Sequence, residues 1–181
     1  MPASRKTPEG ARSDGLTEAE IALLQLRATR YAQRPIADAQ DVTYAVLFRK
    51  ADARYVIPLA SLREIRLLPA VCRIPGAARW VPGVFHFQGE ILSAHDLDAF
   101  MDQGASEGPS PWVLIVEQGS ERLGLMVDEV IDVVAVVSAR VMPVPITFGE
   151  RSICFQGVLP GGALLLQPAR LFSTPSFFSA F

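Results

Sequence analysis

Hydrophobic residues recur along this chain in two rhythms. Between positions 16 and 34, Ile21, Leu24, Ala28 and Tyr31 fall at helical spacing with arginines and glutamates between them, which predicts an N-terminal amphipathic helix with one face to cover. Thr17 and Glu20 form a T-x-x-E capping box, Leu16 and Ile21 supply a hydrophobic staple, and Arg34 before Pro35 discourages continuation. Residues 1–15, MPASRKTPEGARSDG, have nothing to bury and read as a disordered tail. From Asp41 onward the rhythm shortens. The runs VTYAVLF, RYVIPL, EIRLL, GVFHF, EILSA, WVLIVE, ERLGLMV, VIDVVAV, ICFQGVL and ALLL alternate with glycine, proline or charged turns, and each predicts a short β-strand. Helical turns are expected after Asp96 and after Pro168.

The strands repeat. Tyr44 to Ile65 laid ungapped over Trp112 to Val133 gives about sixteen agreements in polarity class over twenty-two pairs, Arg54 on Arg122 and Glu64 on Asp132 among them. GEILSAHDLDAF (89 to 100) laid over GGALLLQPARLF (161 to 172) ends on Phe100 and Phe172. Two halves with one plan, each of about five short strands, suit two small barrels, because closure removes the sheet edges that five isolated strands would expose. WVLIV is apolar on both faces, so its strand is expected between its own barrel and the sister half, with the halves sharing a core.

Composition narrows the function. Half of the 181 residues are hydrophobic, enough for a sizeable core. Seventeen basic against nineteen acidic side chains leave a net charge of -2, which gives no electrostatic reason to bind nucleic acid or an anionic membrane surface. No run is long and apolar enough to span a bilayer, and the N-terminus has no signal-peptide core, so a soluble, unexported protein is expected. Cys72 and Cys154 stand alone among apolar neighbours and read as buried, reduced thiols.

The chemically suggestive stretch is GVFHFQGEILSAHDLDAF, with His86, His95, Asp96 and Asp98. A turn at Gln88 and Gly89 would pair His86 with Ile91 and not with His95, and no HExxH or CxxC spacing supports zinc. Surface histidines are the expectation, and no metal is predicted. A GxSxG elbow, a cysteine with a neighbouring histidine and a phosphate-cradling loop are all missing from the sequence, so neither catalytic residues nor a cofactor are predicted. Asp128, Glu129 and Asp132 read as a solvated turn, with a binding rim as the other use. Rigid barrel strands with partly apolar outer faces suit an interaction module.

The order RYVIPLASLREI, WVPGVFHFQGEILSAHDL, ERLGLMVDEV and FQGVLPGGALLLQPARLF, over about residues 41 to 174, resembles the CheW family of chemotaxis coupling proteins. The most specific part is the family pattern G-V-x-N-L-R-G-x-x-L-P-V-x-D-L, which falls here on Gly83 to Leu97; the VDEV at 127 to 130 matches as well. The resemblance implies a mainly β fold of two intertwined five-stranded, SH3-like β-barrel subdomains, with residues 175–181 left as a C-terminal tail. It implies a non-catalytic cytoplasmic adaptor, recruited to receptor arrays at the membrane, that couples the cytoplasmic hairpin of a chemoreceptor to a CheA-type histidine kinase. Positions matching the family's contact regions are Leu62, Glu64, Val84, Gln88 and Ile91. His86 and Gln88 stand where the family has asparagine and arginine, which points to partner choice at those two positions; a neutral amide replaces a charged donor. The competing readings are a decoy or single-partner adaptor that limits array assembly, and a β-barrel that binds a small ligand or metal.

Overall fold

In a computed structural model, the chain is described over residues 42–102 and 110–178. The expected tail and helix at 1–15 and 16–34 lie outside those residues. All ten predicted strands form: β1 Val42–Lys50, β2 Ala53–Pro58, β3 Leu62–Leu67, β4 Gly83–Phe87, β5 Glu90–His95, β6 Trp112–Gln118, β7 Glu121–Val127, β8 Glu129–Val137, β9 Phe155–Val158 and β10 Leu164–Leu166. The helical turns also form, as α1 Leu97–Met101 and α2 Pro168–Ser173, and a further short helix, α3 Pro175–Phe178, follows. The Asp96 carboxylate accepts the Ala99 amide and caps α1, while Pro168 opens α2 at a position where no amide donor is needed.

The strands assemble into two five-stranded sheets ordered β8-β1-β2-β10-β9 and β3-β6-β7-β5-β4. Each sheet takes two strands from one repeat and three from the other, so the halves are interlocked. The repeat carries into the hydrogen-bond register. Tyr44 pairs with Ala135 in the first sheet, and their equivalents Trp112 and Leu67 pair in the second. Both ladders slip at one equivalent place, leaving Ile131 unpaired opposite β1 and Arg63 unpaired opposite β6.

The other sequence match is one residue out. Ala94 lies beside Gly124, and Leu165 lies beside Val56, the partner of Gly124 in the first match. Leu165 therefore corresponds to Ala94, and not Leu166. The cause is the second hairpin, where a longer turn from Val158 to Leu164 and a bulge between Leu165 and Leu166 replace the two-residue turn after Phe87.

Both faces of the central strands are buried, as the apolar runs predict. Along β6, Val113 and Ile115 pack with Phe85, Phe87, Leu92 and Ala94 inside one sheet, while Leu114 and Val116 enter a larger cluster with Phe48, Tyr55, Leu123, Phe155 and Phe177. Alternation along β1 does the same, sending Ala45 to a third cluster and Val46 and Phe48 to the shared one. The large cluster is the common core that holds the sheets together.

Equivalent segments cover the outer edges of β4 and β9. Cys72 and Val84 exchange two backbone hydrogen bonds, as do Met142 and Val158. At each crossing stands a glycine, Gly83 or Gly157, whose added Cβ would fall well inside van der Waals contact of the Cys72 or Met142 carbonyl oxygen. Gly83→Ala and Gly157→Ala are each expected to cost about 1–3 kcal/mol of stability through overpacking. A shift in urea midpoint worth less than about 0.5 kcal/mol would show that the covering segments yield.

Three expectations need correction. Cys72 is exposed, because its segment lies over an edge and not inside it, whereas Cys154 is buried. His95 is buried, since it ends β5 against the shared core and is not on an outer face. The chain beyond 174 does not leave as a tail at once: Phe177 is fully buried, stacked on His95 with ring centroids 4.5 Å apart and edge-on to Phe100 at 4.9 Å.

Candidate functional site

The β4–β5 hairpin is built by local chemistry. Gln88 and Gly89 both take positive φ, 48° and 89°, as a two-residue turn matched to strand twist requires. Phe85 and Phe87 point inward and Val84 and His86 outward, so strand alternation alone divides core from surface. Across the ladder His86 faces Ile91, as the turn predicts, and Ile91 is 74% exposed.

Both sides of the turn are anchored. Gln88 Nε2 donates to Glu64 Oε2 at 3.1 Å, and the Arg66 guanidinium lies 5.8 Å from the centre of the Phe87 ring. These contacts join β3 to β4, the opposite edges of one sheet, and so curl it closed. On the far side Arg122 reaches both carboxylate oxygens of Glu90, at 2.9 and 3.1 Å, and Glu117 at 2.6 Å. A hairpin held at both flanks presents its outer face with little left to order on binding.

Of the six positions singled out from sequence, the structure gathers Glu64, Val84, His86, Gln88 and Ile91 around the outer side of this hairpin. Val84 is half-buried, its backbone paired edge to edge with Cys72. Leu62 is not part of that surface: it packs half-buried against the shared core. His86 and His95 do not come together, since His86 is exposed and the buried His95 bonds Ser93 Oγ through Nε2 at 2.9 Å. Among the described residues no group of three or more histidine, cysteine, aspartate or glutamate side chains is placed to hold a metal ion.

What sequence reasoning missed is a buried ionic cluster. Lys50 ends β1 only 1% exposed, with Nζ 2.6 Å from Ser110 Oγ, 3.1 Å from Asp96 Oδ2 and 3.3 Å from Asp128 Oδ1. Asp128 is therefore no solvated turn residue; it also accepts the Ser110 hydroxyl and the Ala51 amide, both at 2.7 Å. Burial alone would raise its pKa, but those bonds and the Lys50 charge outweigh burial and hold the carboxyl below its usual range. Asp98, also 1% exposed, accepts the Tyr55 hydroxyl at 2.9 Å. Burial pushes the Asp98 carboxyl up to about 6, against the Tyr55 bond that favours its ionised form. Burial and the Asp98 carboxylate together push the Tyr55 hydroxyl up. No sequence signal marks Lys50, whose equivalent in the repeat is Gln118.

Two buried groups pull stability in opposite directions with pH. Burial lowers His95 to about 4, so its neutral folded form becomes less costly as pH rises from 4 to about 6.5. Asp98, raised to about 6, costs more as pH rises from about 4 through 6, because the unfolded carboxyl ionises first. The two slopes offset each other over the same window.

A cleft of about 880 Å³ is lined by Trp80, Phe100, Phe148, Arg151 and Thr174 among others, and by none of the six candidate positions. Arg151 lies over Phe100 and pairs with Asp102, which Arg79 also holds at 2.9 Å.

Comparison with known proteins places this geometry. A family model described as a CheW-like domain matches residues 45–176. A chemotaxis protein CheW from Rhizobium meliloti is 32% identical over 101 residues, which are 55% of this chain and 65% of that protein. A chemotaxis protein CheW from Klebsiella aerogenes is 29% identical over 125 residues, 67% of this chain and 75% of that protein. The chain thus spans just under two thirds of the first relative and three quarters of the second. Among solved structures, the scaffolding protein TtCheW from Thermoanaerobacter tengcongensis has the same fold at a TM-score of 0.63 and 20% identity, over 75% of this chain and 87% of that one.

Proposed function

The chain belongs to the family defined by the CheW-like domain, and on that premise we propose that it is a non-catalytic chemosensory adaptor, coupling the cytoplasmic hairpin of a chemoreceptor to a CheA-type histidine kinase. Among the described residues no helix is long and apolar enough to cross a membrane, so this reading has the receptor carry the adaptor to the array.

The observation that carries the reading is the anchored outer face of the β4–β5 hairpin. Ile91 is a large apolar side chain 74% exposed, on a strand tied at one flank by Arg122 and Glu90 and at the other by Gln88 and Glu64. A rigid apolar knob beside a polar rim is the anatomy of a docking centre. Glu64, Val84, His86, Gln88 and Ile91 form this face, and Leu62, packed against the shared core, lies outside it. Glu64 is held within the chain from both sides, by the neutral Gln88 amide at Oε2 and by the Arg66 guanidinium 3.8 Å from Oε1, which fixes its carboxylate at the rim of this face.

Co-sedimentation at low salt with receptor fragments and a CheA-type kinase, beside a working coupling protein, tests the reading. Binding of both partners is expected. Ile91→Asp should weaken it about tenfold or more while leaving the unfolding midpoint within about 0.5 kcal/mol. Binding of neither partner overturns the proposal; binding of one alone supports a single-partner adaptor.

A further inference from the structure

We propose that Asp98 is a proton-operated latch between the two sheets, holding α1 against β2 when protonated and loosening it when ionised. The members of the cluster come from both sheets. Lys50 ends β1 and Tyr55 lies in β2, in one sheet. Asp96 and Asp98 belong to the start of α1, directly after β5 of the other sheet, and Asp128 sits on the link from β7 to β8 that passes between the sheets.

The charges do not balance. One ammonium faces three carboxylates, and its contacts go to Asp96 and Asp128. Asp98 receives one hydrogen bond, from Tyr55 at Oδ1, while its buried Oδ2 has no hydrogen-bond partner among the described residues. An ionised carboxylate so placed lacks both water and a donor at Oδ2, a costly combination inside a protein. A proton removes the charge, and the neutral acid is left with a much smaller penalty. Without the proton, the available relief is for α1 to lift until Oδ2 meets water. That opening is local: α1 has five residues, held to the rest by buried Leu97, Phe100 and Met101, by Arg79 at the Ala99 carbonyl and by the Asp96–Lys50 pair at its start. Burial of the carboxyl moves its titration up to about 6, so the protonated form dominates below that pH and the ionised form above it.

The groups facing Asp98 from each packed element are Tyr55 of β2, Lys50 of β1, Asp96 of its own helix start and Asp128 of the β7–β8 link. Tyr55 is raised and Asp128 lowered, away from the window near 6, and His95 titrates below it at about 4. Global stability is a poor readout because His95 opposes Asp98, so the test is site-specific.

The carboxyl carbon of Asp98 is titrated by NMR in the full chain, and amide exchange at 99 to 101 is followed from pH 5 to pH 7.5 with intrinsic rates removed. A midpoint about two units above an ordinary aspartate is expected, with protection in α1 falling about tenfold across the range. Asp98→Asn, a neutral near-isostere, should keep the acid level of protection at every pH. Tyr55→Phe removes the donor that favours the ionised form and should move the midpoint up. It keeps the ring that stacks on Phe48 and Phe155, so it decides the question if the asparagine variant does not fold. An Asp98 midpoint near 4, α1 protection independent of pH, or a Tyr55→Phe midpoint that stays put or falls overturns the proposal.

Discussion

Lys50→Met is expected to lower the free energy of unfolding by about 3–5 kcal/mol, the range for removing one partner of a buried ion pair. The substitution keeps much of the side-chain volume, so packing is not the main loss. The cost arises because Asp96 and Asp128 remain in place, largely buried, and lose their shared ammonium at 3.1 and 3.3 Å. Arg49→Met, which breaks the exposed pair with Glu129 one residue earlier in the same strand, should cost under about 1 kcal/mol. Chemical denaturation of both variants gives the comparison directly. Equal, small losses would mean that water reaches the Lys50 cluster and takes over the role of the lost ammonium.

The second large effect is expected at the C-terminal end. Phe177→Ala should cost about 3–5 kcal/mol, as for other buried phenylalanines, because Phe177 is fully buried, stacks on His95 and meets Phe100 edge-on. The same change opens the His95 imidazole to water. Its titration midpoint, held at about 4 by burial, should then climb toward the ordinary value near 6.5. NMR titration of the two histidines reads this while thermal unfolding reads the stability loss. If the His95 midpoint stays near 4 in the variant, another group must provide its cover.

These effects fall on residues that local pattern did not single out. The strands were legible because their apolar and polar residues alternate with period two and their turns are spelled by glycine and charge. GVFHFQGEIL specifies its own hairpin: Gln88–Gly89 is a two-residue turn, and the alternation of Phe85 and Phe87 with Val84 and His86 settles which face is core. The repeat was legible for a related reason, since equivalent strands meet equivalent surroundings; Tyr44 with Ala135 and Trp112 with Leu67 are the same ladder rung in two sheets. The second match slipped by one residue because a longer turn and a bulge change register without changing polarity class.

Five of the six candidate docking positions come together for reasons only partly visible in sequence. Val84, His86, Gln88 and Ile91 share one hairpin and needed only its turn. Glu64 joins them because the opposite edges of a curled sheet meet, a contact between residues 24 positions apart. Leu62 turns to the shared core instead, since the slip at Arg63 puts it on the inward face.

The sequence by itself determined the ten strands, their grouping into two like halves, the exposed face of the β4–β5 hairpin and, through the Gly83 to Leu97 pattern, the family. Only the tertiary structure decided which strands share a sheet, that His95 and Phe177 are buried together, and that Lys50, Asp96, Asp98 and Asp128 form one buried cluster. The division has a physical basis. Strand and turn formation depend on neighbours a few residues away and leave a period in the chain. A buried charge instead depends on partners 46 and 78 positions distant, here Asp96 and Asp128 relative to Lys50, and burial of either kind writes no period at all.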